Sequence, residues 1–100
     1  MINKLKQQYE VILYIGSDNR TNKINTAYIN QCLNITSSYY EGFNIESITG
    51  VYKGLKEDSI KLTIFTDNIK HIKVLCNDLK TALKQESILY TINKADYNLI

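Results

Sequence analysis

The stretch from Gly42 to Phe65, GFNIESITGVYKGLKEDSIKLTIF, constrains the fold more than any other part of the chain. Phe43, Ile45, Ile48, Val51 and Tyr52 are β-branched or aromatic, the types that suit a pleated, half-buried surface. Gly54 and the polar run Lys56, Glu57, Asp58 place a turn between two apolar runs, so the stretch reads as a β-hairpin. Beyond the turn, Ile60, Leu62 and Ile64 alternate with Lys61, Thr63 and Phe65, a period of two that sends the aliphatics to one face. In the first strand, Phe43 and Ile45 are out of phase with Ile48 and Tyr52, which predicts a bulge near Ser47 or a shorter strand.

The flanking segments supply two strand–helix units. Tyr9 to Gly16 reads as a strand, with Val11, Leu13 and Ile15 on one face and Ile12 and Tyr14 on the other. Gly16 to Arg20 is a polar loop, and Thr21 or Asn22 is placed to cap the helix after it. Ile24, Tyr28, Cys32, Ile35 and Tyr39 form one helical stripe, and Gly42 is placed as its stop. Asp67 or Asn68 is placed to cap a second helix, whose buried stripe is Ile69, Ile72, Leu75, Cys76, Leu79 and Leu83. Ser87 to Ile92 reads as the last strand. Residues 1–8 and 94–100 are expected to be peripheral to a single α+β domain spanning 1–100.

Two β-α-β units with right-handed crossovers, joined by the hairpin, predict a β-α-β-β-α-β order. Four antiparallel strands then carry both helices on one face. The opposite sheet face carries Ile12, Tyr14 and Phe65, apolar surface that wants a cover. The expectation is a homo-oligomer, a dimer, joined through these three residues. A C-terminal tail folded over the face, or an external ligand, are the alternatives.

Composition excludes several functions. Apolar residues are 44% and charged residues 22%, which speaks against disorder. A net charge of +2 is too small for a dedicated nucleic-acid binder. Cys32 and Cys76 lie in helical patterns without metal-type spacing; they are expected as small buried hydrophobes, with a disulfide as the alternative. The N-terminal MINKLKQQYE lacks an apolar core of a signal peptide and no run is long enough to span a membrane, so a cytoplasmic protein is expected.

Individual motifs are weak. Leu13-Tyr14-Ile15-Gly16 looks like the first-strand motif of RNA-recognition domains, but Ile60 and Leu62 stand where base-stacking aromatics belong. His71, on the solvent side of the second helix, has no partner at catalytic or metal spacing, and no cofactor or metal is expected. Lys70, Lys73, Lys80 and Lys84 make a basic strip that reads as a solvated helix face. Gly16 to Arg20 precedes a helix and could hold a phosphate, with Ser17 and Arg20 assisting, but it has one glycine and no phosphate-loop spacing.

Taken together, Leu13-Tyr14-Ile15-Gly16, Thr49-Gly50-Val51-Tyr52-Lys53-Gly54, Glu57-Asp58-Ser59 and Gln85-Glu86-Ser87-Ile88-Leu89 resemble a family of short proteins from bacteria and their phages. The resemblance implies a ferredoxin-like fold and brings no activity or catalytic residues with it. Its phage members imply an accessory protein that blocks a host defence component or sequesters a small anionic signal molecule. The first expectation is therefore a non-enzymatic binding protein working through Arg20, Tyr52, Lys53, Gln85 and Glu86. The second is a small-molecule enzyme of the ferredoxin-like dimer type, with Glu57, Glu86, Tyr52 and His71 as candidates. The third is an RNA binder.

Overall fold

The computed structural model describes residues 6–18 and 20–100. The first part of the expected N-terminal lead-in, residues 1–5, and Asn19 of the first loop lie outside the described residues. The elements follow the order β1 (Tyr9–Gly16), α1 (Thr26–Ser37), β2 (Asn44–Tyr52), β3 (Leu55–Thr66), α2 (Ile72–Ala82) and β4 (Leu89–Lys94). The four strands form one antiparallel sheet in the spatial order β2-β3-β1-β4. This is the ferredoxin-like α+β arrangement.

Alternation in β1 and β3 sets the core. Val11, Leu13 and Ile15 pair with Ile64, Leu62 and Ile60, and all six are fully buried. Above them lie Tyr28 and Cys32 of α1, and Ile72, Leu75, Cys76 and Leu79 of α2. Burying side chains of this kind contributes roughly 1.5–3 kcal/mol each, so the helix-covered sheet face is the main source of stability. Both cysteines are free thiols in this layer, and burial pushes each up to about 11.

The hairpin turn is tighter than its polar run suggests. Tyr52 pairs with Leu55, leaving Lys53 and Gly54 as a two-residue turn with φ of 51° and 77°. Positive φ at both positions is what a right-twisted ribbon requires, and glycine takes the second without cost. Lys56, Glu57 and Asp58 are therefore strand residues. Pairing continues one-to-one from Asn44 opposite Thr63 to Tyr52 opposite Leu55, without the bulge expected near Ser47. Ile45 and Ile48 are out of phase because they serve opposite faces: Ile45 meets core residue Leu62, and Ile48 meets Ser59.

The helix boundaries also differ from expectation. Asn25, not Thr21 or Asn22, caps α1, its side chain accepting from the Tyr28 N–H at 2.9 Å. Asn22 instead takes φ 57° in a turn closed by Asp18. Ser38 terminates α1, so Gly42 lies beyond its end. Before α2, Asn68 accepts from the Lys70 N–H at 3.0 Å, while the capping position falls to His71, whose side chain makes no capping bond. The last strand starts at Leu89 rather than Ser87.

The β2–β3 ribbon outruns the sheet. β1 ends at Gly16 opposite Ser59, so residues 49–58 form a two-stranded arm with no third neighbour. The described chain measures 57 × 27 × 25 Å with a radius of gyration of 15.0 Å, against about 13 Å for a compact domain of this length.

Candidate functional site

Where the arm leaves the sheet, it faces the turn between α2 and β4 across the end of β1. The space between them is a groove of about 860 Å³, lined by residues of all three segments. Tyr14 and Gly16 come from β1, Ile48, Gly50 and Tyr52 from β2, and Glu57 and Ser59 from β3. Gln85, Glu86, Ser87 and Leu89 close the far side. Strand alternation explains most of the membership: odd-numbered β3 residues and even-numbered β2 residues point away from the helices, as Tyr14 and Gly16 do, while Ile15 and Val51, of opposite parity, also border the groove.

The groove is built on a hydrogen-bond network. The Tyr28 hydroxyl, reaching up from α1, donates to the Gly16 carbonyl at 2.6 Å. Gln85 Nε2 donates to the Ser17 carbonyl at 2.8 Å and to the Tyr28 hydroxyl oxygen at 3.0 Å. These bonds pin the α2–β4 turn to the end of β1. Burial pushes the Tyr28 phenol up to about 12, so it stays a donor at all ordinary pH values. Gly16 makes room for the arrangement: a Cβ there would stand 2.9 Å from Gln85 Oε1. Lys84, just before Gln85, takes φ 54° and turns the chain out of the helix.

Chemically, the lining combines two aromatic rings, Tyr14 and Tyr52, with two carboxylates, Glu57 and Glu86, and among the described residues it includes no lysine, arginine or histidine. Such a groove favours a ligand with a flat, partly apolar body and positive charge.

The sequence-derived candidates separate into four places. Tyr52, Gln85 and Glu86 converge on the groove, joined by Glu57 and by Tyr14, which was expected at an oligomer interface. Lys53 stands at the arm's turn, its ammonium 5.4 Å from the Tyr52 ring centre. Arg20 lies elsewhere. Its guanidinium binds Asp18 at 3.2–3.3 Å, and the pair belongs to a separate hollow with Tyr28, Gln31 and Lys84. That bond holds the Asp18 carboxyl below its ordinary range. His71 is also remote, its ring 6.0 Å from Tyr39 on the helix side.

Ile12 and Phe65 do point away from the helices, as expected. Phe65 meets Tyr97 of the C-terminal tail edge-on at 5.4 Å, and the tail is anchored by the Ala95 N–H donating to the Gln8 carbonyl at 3.0 Å. Part of the open face is thus covered by the chain's own end. Sequence reading missed Tyr28 as a site-building residue, because its spacing marks it only as helix core. It also missed Ile48, Gly50 and Ser59 as lining. A turn placed at Lys53–Gly54 would have set the register and revealed them.

Among the described residues, no cluster of histidine, cysteine and carboxylate side chains suits a metal ion. No helix among them is long and apolar enough to cross a membrane.

No protein-family model and no curated protein matches the sequence. Solved structures match the fold over nearly its whole length. A phage SAM lyase in complex with S-methyl-5'-thioadenosine superposes with a TM-score of 0.70 at 17% identity, covering 94% of this chain and 86% of that one. A DUF3240 family protein from Shewanella baltica gives a TM-score of 0.66 at 13% identity, covering 96% and 98%. CutA from Synechococcus elongatus, complexed with a Bis-Tris molecule, gives 0.62 at 8% identity, covering 93% and 84%. These similarities establish the ferredoxin-like part of the resemblance read from the motifs.

Proposed function

We propose that the groove binds S-adenosylmethionine and cleaves it to S-methyl-5'-thioadenosine, in the manner of a SAM lyase. The observation that carries this reading is the lining itself: two tyrosines and two carboxylates and, among the described residues, no cationic side chain, at the end of β1. A sulfonium nucleoside is a cation with a flat base, and that is the ligand such a lining complements. The fold shared with a phage SAM lyase that holds the thioether product supports the choice of substrate. The step balances within the substrate: an oxygen of its own α-carboxylate attacks the γ-carbon bonded to sulfur, forming a lactone as that carbon–sulfur bond breaks and its electron pair leaves with the neutral thioether. Holding the substrate in the geometry that brings the attacking oxygen and the γ-carbon together is then the protein's contribution.

In a phage setting, a protein that consumes this methyl donor would starve host enzymes that depend on it. That is the form the accessory, anti-defence role takes here. The test is incubation of the protein with S-adenosylmethionine and chromatographic detection of S-methyl-5'-thioadenosine. Product is expected from the native protein, and Glu57→Gln is expected to lower the rate by on the order of 10²-fold, the usual worth of a positioned charged group. Unchanged substrate, together with no thermal shift on adding it, overturns the reading.

A second reading keeps the groove and drops the turnover: the protein sequesters its ligand. It is favoured by the lack of any hydrogen-bonded acid–base pair among the described lining residues. Saturable binding without product formation would select it.

A further inference from the structure

The network beneath the groove leaves one atom with a task that the fold does not use. Gln85 Nε2 is spent on the Ser17 carbonyl and the Tyr28 hydroxyl. Tyr28 cannot swap roles, because its only hydroxyl proton goes to the Gly16 carbonyl. The amide is therefore fixed with its nitrogen inward and Oε1 outward. Oε1 comes within 2.9 Å, and Glu57 Oε1 within 3.7 Å, of the point where a side chain on Gly16 would begin. Two acceptors from opposite walls converge over a residue that has no side chain to fill the gap.

We propose that Gln85 Oε1 and Glu57 form a clamp for the vicinal hydroxyl pair of a ribose, each accepting one O–H, with Gly16 as its floor. The assignment rests on the nucleoside reading of the groove and adds which part of the ligand is recognised, and by which atoms. A base edge suits this place less well. It presents an acceptor beside its donor, and the Gln85 hydrogens that could serve that acceptor are already committed. A diol presents donors only.

The experiment measures calorimetric affinities for S-methyl-5'-thioadenosine and its 2'-deoxy and 3'-deoxy counterparts. The native protein is compared with Gln85→Met and Gly16→Ala. The native protein should bind at least one deoxy counterpart about tenfold more weakly, the cost of leaving a positioned acceptor unpaired. Gln85→Met should bind the parent about tenfold more weakly and lose the discrimination that its carbonyl provides. Gly16→Ala keeps every hydrogen-bonding group but displaces Oε1, so it should behave like Gln85→Met. It also decides the matter if the loss of the Tyr28 bond unfolds that variant. Equal discrimination by all three proteins overturns the clamp. Native protein that binds the parent without discriminating among the three ligands also overturns it while leaving the nucleoside reading intact. Native protein that binds none of them overturns both.

Discussion

β3 passes through two environments that differ more than any two elements of the molecule. From Ser59 to Thr63 it lies between β1 and β2 and on to Thr66 it stays paired with β1, and Ile60, Leu62 and Ile64 are wholly buried. From Leu55 to Asp58 it has one neighbour and every residue is exposed, with Leu55 keeping 75% of its surface. Val51 and Tyr52 opposite are 65% and 69% exposed. One continuous strand thus moves from core to free ribbon without a bulge or a break. A two-stranded ribbon is marginal in water by itself, and the arm's tip keeps its apolar side chains at the surface. The inner half supplies the stability, and the outer half supplies one wall of the groove.

The largest test of that contrast is truncation at its buried end. Leu62→Ala should lower unfolding free energy by about 2–5 kcal/mol, read from urea denaturation, because the helices and β1 cannot collapse fully onto the gap. A loss below about 1 kcal/mol would mean that the inner half is not the core. The double substitution Val51→Ser with Leu55→Ser should leave stability within about 1 kcal/mol of the native value. If a second copy covers the arm and open face, native protein should sediment as an oligomer at tens of micromolar and the double variant as a monomer. Native protein that is already monomeric there would show the tip is not an assembly surface. The smallest effect is alkaline. The Tyr28 phenol is raised from 10 to about 12 by burial, so the folded state holds its proton longer than the unfolded chain. Its contribution is complete below pH 10 and is lost as pH rises through 12. The two thiols, raised from 9 to about 11, act in the same direction slightly lower. Tyr28→Phe should flatten the fall in stability between pH 10 and 12. An unchanged slope would mean that the phenol is not held protonated by the fold.

Most of the architecture was legible because strand and helix periods in β1, β3 and α2 are strong. Val11, Leu13, Ile15, Ile60, Leu62 and Ile64 can only be one buried face, and Ile72, Leu75, Leu79 and Leu83 one helical stripe. The helix starts were less legible. Asn25 and Asn22 are chemically identical caps, and only the Asp18–Lys23 loop closure decides between them. Tyr52, Gln85 and Glu86, singled out from sequence, line one groove, but the residues beside them were not anticipated. A turn shifted by two residues reassigns Glu57 from loop to strand. The Tyr28–Gln85 bond joins positions 57 apart, a pairing that no local pattern carries.

The strand order has a consequence for how the chain is made. β1 is a central strand, yet it is synthesised first, and both its neighbours come later: β3 across a helix and the hairpin, β4 at the far end of the described chain. As the chain emerges, one edge of β1 gains its partner when β3 has been made, and the other only when β4 follows. The β2–β3 ribbon, by contrast, can zip at once through its two-residue turn. Closure of the four-stranded sheet therefore waits for β4, and the interval before it is when the strands are most exposed to wrong pairings.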